Sequence, residues 1–358
     1  MIVILGSAYV LAGRPLLPDQ YSYDEGKIQA IAQGSDIADG DSSFQVVGDL
    51  YRWAGLAEMP TAAGLIGFAT FCAMLFVVAR PSRMVDARFV DWLLVFGIVV
   101  LGAVYLGDYS KDVFVLLVVA VFVFAPEEGR LGELLPIAAL LAYGEFFRTY
   151  WYLIAAAYVV LRLLLAVTRS FWVVLLEALV LLLALSVCFA LVLGVPLDYY
   201  RDHINAERTV DSTGSLIDGV IPGSNPLSGY VNSAYVLANF VVPISLVVRG
   251  SLLYILVGAF LAVLWVTFGR RVHRGLRAAS LGAPQLRAVA VVVAVTVVQA
   301  VFEPDYGSYV RHATPMLILV LYVVLSAPRH AHAPIAPGSG VQESQRTSVI
   351  GVRRRGSV

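Results

Sequence analysis

Residues 171–196 read FWVVLLEALVLLLALSVCFALVLGVP, and Glu177 is the one charged side chain in this stretch. A helix needs about 20 predominantly apolar residues to cross the hydrocarbon core of a bilayer, and this stretch is longer than that. The whole chain of 358 residues is similar in character: 59% of its residues are hydrophobic, 14% are charged, and the mean hydropathy is +0.81. Soluble proteins average about 25% charged residues. The composition therefore excludes a soluble globular protein and predicts an all-α, polytopic integral membrane protein.

Further apolar stretches bring the expected total to about ten helical segments: residues 1–13, 61–78, 90–107, 113–125, 134–147, 151–167, 171–196, 251–268, 289–302 and 315–327. The segments 113–125 and 134–147 are short for spans. They are either a tight pair of short helices or a re-entrant hairpin buried in protein. No basic residue precedes the apolar run in residues 1–13, which favours a retained first span over a cleaved signal peptide.

The distribution of arginine predicts the orientation of these segments. Arginine gathers in residues 80–88, in residues 270–287 and in the carboxyl-terminal stretch 329–355. The positive-inside rule assigns such stretches to the cytoplasm. Threading the chain between them leaves residues 14–60 and 197–250 as two long loops on the outer side of the cytoplasmic membrane.

Two further segments complete the expected organisation. Residues 230–248 are fairly apolar but contain Asn and Pro, which predicts a helix that lies on the outer face or dips into it. Residues 328–358 are rich in Pro, Gly, Ser and Arg, which predicts a disordered cytoplasmic tail behind a membrane domain of residues 1–327.

Several partner and cofactor classes receive no support from the sequence. The formal net charge is zero, so the charge total does not indicate a nucleic-acid partner. Cys72 and Cys188 both lie inside apolar runs, which argues against a disulfide framework or a cysteine metal site. No magnesium motif is evident, and no cofactor is expected.

The first outer loop contains two candidate catalytic carboxylates, Asp24 and Glu25. Ser22 and Glu25 have the spacing of a capping box, so a short helix is expected to begin here. On that helix Asp24 shares a face with Ile28 and Ile31. Asp24 is therefore either a helix-start residue that complements the dipole or a buried base.

Two short connections between spans carry candidate substrate-binding residues. Lys111, in Asp-Tyr-Ser-Lys-Asp at 108–112, is either part of a solvated turn or a point charge for a phosphate. Arg148 sits at a helix start, where the dipole disfavours a cation, so another group should hold it. Glu145 is the obvious local partner, but we predict that Arg148 lines the site together with Tyr150.

Two later outer stretches add further candidates. In residues 198–208 the spacing permits a self-paired helix that uses Arg201 and His203, and it leaves Arg208 freer to meet a ligand. Residues 303–312 precede the last span and concentrate groups that suit phosphate contact and sugar stacking. The alternative for this stretch is a structural loop with interfacial tyrosines. Its candidates are Asp305, Tyr306, Tyr309, Arg311 and the possible catalytic base His312.

An outward-facing cleft with carboxylates, arginines and tyrosines in an apolar surround suits a lipid-linked sugar phosphate. The lipid chain would lie against the helices, while Arg and Lys neutralise the phosphate as it becomes the leaving group. A carboxylate or histidine would take the proton from the acceptor hydroxyl.

The pattern resembles the bacterial polysaccharide polymerases of the O-antigen type, and more broadly the multi-span glycosyltransferases that use polyprenyl-linked donors. Four motifs carry the resemblance: Tyr23-Asp24-Glu25, Tyr109-Ser110-Lys111-Asp112, Arg148-Thr149-Tyr150, and residues 307–312 with the sequence GSYVRH. The resemblance implies that outer-face arginines hold the pyrophosphate, that Asp24 is the catalytic base with Glu25 next, and that an acidic residue such as Asp112 follows the lysine. The arginines it favours are Arg148, Arg201, Arg208 and Arg311.

The resemblance implies polymerisation of lipid-linked repeat units into a cell-surface polysaccharide, with membrane lipids around the protein. A chain-length regulator or other envelope glycan proteins are possible partners. Three alternatives stay open: transfer of a single sugar, transport of a lipid or glycan, and a non-catalytic role in an envelope complex. A transporter should show paired halves or matched broken helices, and neither is visible in the sequence.

Overall fold

The computed structural model describes residues 1–13, 23–35, 42–80, 84–85, 87–207 and 215–326. Every regular element in these ranges is helical, and one isolated antiparallel bridge joins Leu216 to Asp305. Ser22, Arg208 and the predicted tail 328–358 lie outside the described residues. The α-helices in chain order are α1 (Ile2–Ala12), α2 (Tyr23–Ala32), α3 (Ser42–Trp53), α4 (Pro60–Val78), α5 (Phe89–Leu106), α6 (Val115–Phe124), α7 (Arg130–Phe146), α8 (Trp151–Leu164), α9 (Phe171–Cys188), α10 (Tyr199–Glu207), α11 (Pro226–Val241), α12 (Ile244–Val248), α13 (Leu252–Arg277), α14 (Ala283–Phe302), α15 (Tyr306–Ala313) and α16 (Leu317–Val324).

Six of the described helical segments are long and apolar enough to cross a membrane, which confirms a helical membrane protein but does not support a count of about ten. The predicted segment 113–125 contains the helix α6, which is too short to span alone, and α7 begins with Arg130 and Glu133. The six segments are Pro60–Val78, Phe89–Leu106, Phe171–Leu193, Leu252–Arg277, Ala283–Phe302 and Tyr306–Val324.

Helix α14 is the centre of the bundle. Within its most apolar window 83% of the residues are buried, whereas the corresponding value for the segment Phe171–Leu193 is 28%. Of its 20 residues 13 are Ala or Val, and it packs against α8, α11 and α16. Because protein covers α14 on all sides, the helix needs no polar face. The position of its carboxyl end is therefore set by packing around the whole helix.

Helices α6 and α7, from the predicted segments 113–125 and 134–147, pack against each other, which is compatible with both alternatives that the sequence left open. The turn between them is closed by Gly129, whose φ of 86° lies in the left-handed region that favours glycine. Arg287 of α14 is completely buried and donates to the carbonyl oxygens of Pro126 and Gly132 on either side of that turn. Arg287, which lies in a stretch predicted to be cytoplasmic, thus links α6 and α7 to α14.

The described parts of the two predicted long loops contain five helices: α2 and α3 in the first loop, and α10, α11 and α12 in the second. In the first loop α2 and α3 pack together, and Ile28, Ile31 and Val47 are buried between them. Arg52 of α3 donates from Nε to the carbonyl of Ala32 at 2.9 Å, where the end of the α2 dipole favours a cation. The sequence did not predict α3. In the second loop α11 packs against α9 and α14, and Pro243 separates α11 from α12.

Helices α4 and α5 approach each other closely at Gly64. A Cβ atom added at Gly64 would overlap the carbonyl group of Gly107, which is backbone and has no other rotamer to adopt. Small residues commonly permit such close approach between membrane helices. The connection that follows α5 carries Lys111 and Asp112, so this contact also positions candidate site residues.

We predict that Gly64→Ala lowers the thermal stability of the purified protein in detergent by several degrees, because α4 and the end of α5 must separate. Gly26→Ala is the matched control, since a Cβ atom at Gly26 meets nothing within 4 Å on the exposed side of α2. That control should be neutral or stabilising by about 0.5–1 kcal/mol, as expected when glycine is replaced within a helix. Equal melting temperatures for Gly64→Ala and the wild-type protein would contradict the predicted clash.

Candidate functional site

Three connections between helices, the first turn of α2 and the last turn of α15 bring six ionisable side chains together at one end of the bundle. The connections are those between α5 and α6, between α7 and α8, and between α14 and α15. We call this group the charge cluster; its members are Asp24, Asp112, Arg148, Glu303, Arg311 and His312.

The buried ion pair between Asp112 and Arg148 is the centre of the charge cluster. Arg148 Nη2 lies 3.2 Å from Asp112 Oδ1, and the two side chains are only 8% and 4% exposed. Asp112 lies in a short 3₁₀ helix, Lys111–Phe114, which is capped by Ser110. The Asp112 amide donates to Ser110 Oγ at 3.1 Å. Glu145, the local partner considered for Arg148, instead accepts a hydrogen bond from Tyr152 on the exposed surface.

His312 links Arg148 to Glu303. His312 Nε2 lies 2.7 Å from Arg148 Nη2, and His312 Nδ1 lies 2.6 Å from Glu303 Oε1. Arg148 Nη1 also lies 3.0 Å from His312 Nδ1, so guanidinium nitrogens face both nitrogens of the ring. His312 is thereby held between Arg148 and Glu303 at hydrogen-bond distance from each.

Arg311 and Asp24 form the more accessible edge of the charge cluster. Arg311 Nη1 lies 2.8 Å from Asp24 Oδ2, and the side chains are 24% and 23% exposed. Arg311 Nε also faces Asp112 Oδ2 at 3.7 Å. Asp24 reaches this position because Ile28 and Ile31 bury the same face of α2, so the expected packing of that face is confirmed.

Lys111 and Tyr150 lie beside the charge cluster. Lys111 is buried, its Nζ lies 3.4 Å from Ser43 Oγ, and the same atom lies 3.8 Å from the centre of the Phe44 ring. Burial rules out a solvated turn for this lysine. The Tyr150 hydroxyl accepts from Arg148 Nη1 at 2.9 Å and donates to Glu303 Oε1 at 3.5 Å, and its ring stacks on Phe302.

The environments of the three carboxyl groups move their pKa values in opposite directions. Burial alone would raise the pKa of Asp112, but nearby positive charge, chiefly Arg148, outweighs burial and lowers it. At Asp24 burial again acts to raise the pKa, but the combined positive charge of Arg311, Lys111 and Arg148 outweighs burial and lowers it. At Glu303 burial is the larger effect and raises the pKa despite Arg148 and Arg311. Two carboxylates are thus stabilised as anions, while Glu303 is disposed to hold a proton.

This arrangement can bind an anion and move a proton. Arg148, Arg311 and Lys111 supply three cations in a poorly solvated place, where a phosphate group would be stabilised strongly. A cavity of about 20 Å³ lies beside them and is lined by Asp24, Glu25, Lys111, Asp112 and Arg311, among others. That volume is enough for about one water molecule. A larger ligand therefore requires the side chains at this edge to move apart.

The charge cluster includes the predicted residues Asp24, Arg148, Arg311 and His312, with Lys111 and Tyr150 beside them and Glu25 at the adjacent cavity. Other predicted residues make different contacts. Arg201 is completely buried and donates to the carbonyl of Ala300 at 3.1 Å, with Asp198 and Asp202 on its other nitrogen, so it anchors α10 to α14. His203 is exposed and stacks on Tyr199.

Asp305, Tyr306 and Tyr309 have structural contacts that explain their positions. Asp305 caps α15 by accepting from the amide of Ser308 at 2.8 Å. Tyr309 stacks on Phe240 with ring centres 3.8 Å apart. The Tyr306 hydroxyl bonds to Asn239 on α11. The contacts of these three residues fix the orientation of α15, which places Arg311 and His312 in the charge cluster.

Two members of the charge cluster were not among the site residues predicted from the sequence. The sequence identifies Asp112 only as the acidic neighbour of Lys111, and Glu303 only as the first residue of the last polar stretch. Glu303 could have been identified from its position directly after a long apolar helix. A carboxylate near membrane depth is costly unless it is paired, so a partner should have been expected. Across the described ranges, no set of three or more His, Cys, Asp or Glu side chains is arranged to hold a metal ion.

Comparison with known proteins gives no match to a family model, to a curated protein or to a solved structure.

We predict that Arg148→Met destabilises the protein by about 3–5 kcal/mol, because it leaves the buried Asp112 carboxylate without its partner. The double variant Arg148→Met/Asp112→Asn should recover much of this loss, since it removes both charges. Asp49→Asn is the control: it breaks an exposed pair with Arg52, whose side chains are 46% and 50% exposed, and should cost less than about 1 kcal/mol. Unfolding in detergent, followed by tryptophan fluorescence, measures all four proteins. A double variant that is as unstable as Arg148→Met, or less stable, would contradict a coupled pair.

We predict that Glu303→Gln changes the dependence of stability on pH. Because the pKa of Glu303 is raised in the folded protein from its usual 4.5, the native state binds this proton more tightly than the unfolded chain. Stability from this group therefore increases as the pH falls from 7 towards 4.5. Relative to the Glu303→Gln variant, the wild-type melting temperature should rise over that range. Parallel curves for the two proteins would show that Glu303 keeps an ordinary pKa.

Proposed function

We propose that this protein is a glycosyltransferase that polymerises lipid-linked oligosaccharide repeat units at the outer face of the cell membrane. The observation that supports it best is the charge cluster, in which a buried Asp112–Arg148–His312–Glu303 chain adjoins the Asp24–Arg311 pair. Cations for a leaving phosphate and a carboxylate for an acceptor hydroxyl lie together in an otherwise apolar helical protein.

The proposed topology places the charge cluster outside and the carboxyl terminus in the cytoplasm of a multi-pass membrane protein. Its support is that the connections containing Lys111, Arg148 and Arg311 are those that the arginine distribution assigns to one side, and they meet in the cluster. The shorter apolar helices α1 and α8 would complete the crossings that the six long segments leave open.

Binding of the donor would begin with an exchange of ion-pair partners. At present Arg311 is engaged with Asp24, and Arg148 with Asp112. A pyrophosphate or phosphate ester carries enough negative charge to replace those carboxylates as the partner of both arginines. Tyr150 and His312 keep Arg148 in place during the exchange through their hydrogen bonds.

The same exchange would activate the base. Asp24 has a lowered pKa mainly because Arg311 opposes its burial. When a phosphate neutralises Arg311, the pKa of Asp24 should rise and the carboxylate becomes a stronger base. Glu25 lines the same small cavity and is the second carboxylate within reach of an acceptor there.

The reaction is a single displacement with inversion. The oxygen of the acceptor hydroxyl forms a bond to the anomeric carbon as the bond from that carbon to the phosphate oxygen breaks. The polyprenyl pyrophosphate or phosphate leaves with the electron pair of the broken bond, and Arg148, Arg311 and Lys111 stabilise its charge. The hydroxyl proton passes to Asp24.

A deletion strain tests this proposal. We expect single repeat units to accumulate on the lipid carrier, detected by mass spectrometry, and long chains to vanish from a gel of the surface polysaccharide. Complementation with Asp24→Ala, Arg148→Ala or Arg311→Ala should restore about a hundredfold less polymer or none, because each removes an acid–base or charge-stabilising group. Arg274→Ala changes an exposed arginine on α13 and should complement fully at the same protein level.

Other outcomes decide between the alternatives. Chains that persist but lack one sugar would assign the protein to single-sugar transfer. Lipid-linked intermediates confined to the cytoplasmic side would indicate transport. Unchanged glycans in the deletion strain would refute a role in glycan assembly.

A further inference from the structure

A second feature, separate from the charge cluster, is an apolar groove between α9, α11 and α12. Its volume is about 640 Å³, and its lining is contributed by Leu175 and Leu179 of α9, by the second half of α11 and by residues of α12. Val242, Ile244 and Val248 at its edge are exposed apolar side chains. The groove therefore opens onto the surface of the bundle that a membrane would cover.

The polar atoms at the base of the groove satisfy one another. Asn239 Oδ1 accepts from Ser245 Oγ at 2.7 Å and from the Tyr306 hydroxyl at 3.1 Å. Asn239 Nδ2 donates to the carbonyl of Tyr235 at 3.0 Å. Because these groups already have partners, the groove favours an occupant without hydrogen-bonding groups of its own.

Tyr306 connects the groove to the charge cluster. It begins α15, the helix that carries Arg311, and five residues at 1.5 Å each place the two positions about 7.5 Å apart along the axis. The stacking of Phe240 on Tyr309 fixes α11 against the same helix. One short helix thus has the groove at one end and two residues of the charge cluster at the other.

We propose that the groove holds the isoprenoid chain of a lipid whose phosphate binds the charge cluster. This inference rests on the proposed function and names the donor's lipid moiety. The groove is lined mostly by apolar side chains, its edge is exposed on the surface of the bundle, and it lies within one short helix of the cations that would hold the phosphate. A chain attached to that phosphate has to enter the membrane beside α15, and the groove offers an apolar surface there.

Photo-crosslinking of the full-length purified protein in nanodiscs tests the groove directly. The probe is an undecaprenyl phosphate that carries a diazirine in its chain. We expect labelled peptides from α9 and α11. Unlabelled undecaprenyl phosphate should compete about tenfold better than phosphatidylglycerol, because its terminal phosphate monoester carries more negative charge to the cluster than the phosphodiester of phosphatidylglycerol. Equal competition by the two lipids would mean general lipid contact and would overturn the proposal.

A pair of variants on one helix provides the matched control. Leu179→Trp fills the groove and should lower labelling about tenfold by excluding a few methylene-sized groups. Leu176→Trp introduces the same side chain at a neighbouring, more exposed position of α9 that does not line the groove, and it should leave labelling unchanged. Ala238→Phe, on the α11 side, repeats the test if Leu179→Trp does not fold. Equal labelling of all variants would refute the assignment.

The two proposals fail in distinguishable ways. Specific labelling of the groove in a protein whose deletion leaves cell-surface glycans unchanged would support the isoprenoid site and refute the glycan function. A protein that is required for polymer and is not labelled in α9 or α11 would keep the function and refute the groove.

Discussion

The cost of burying charge is the constraint on which this structure depends. Asp112 and Arg148 are almost completely buried, at the end of a bundle of apolar helices. Removing one such charge from water costs several kcal/mol unless a partner and further hydrogen bonds offset the loss. The connections that carry Asp112, Arg148, Glu303 and His312 must therefore meet, and Ser110, Tyr150 and the capped start of α15 hold them at the required distances.

The same constraint explains why opposite charges are paired within the charge cluster. Asp112 faces Arg148 and Asp24 faces Arg311, while burial raises the pKa of Glu303 beside His312. A ligand anion would have to replace one of these carboxylates as the partner of an arginine. The accessible Asp24–Arg311 pair is where that exchange would begin, since its side chains retain contact with solvent.

Much of the architecture could be predicted from hydropathy alone, because a long apolar segment with at most one charged residue has few alternatives to a buried or lipid-facing helix. The segments around 61–78, 90–107 and 171–196 are examples. The count of about ten was not supported, because α6 is short and α7 carries charges near its start. The helix α3 was missed because the sequence of residues 42–53 is mixed in polarity and its packing on α2 is decided by Ile28, Ile31 and Val47.

The sequence by itself determined that the chain is a helical membrane protein and that Asp24, Lys111, Arg148, Arg311 and His312 occupy polar connections between apolar segments. The tertiary structure decided which of these side chains meet. It placed the side chain of Arg201 between α10 and α14 rather than in the cluster. It also revealed Glu303 and Asp112 as the acidic partners of His312 and Arg148. The physical reason is that hydropathy is a property of each segment, whereas ion pairing depends on distances between segments, which only packing around α14 determines.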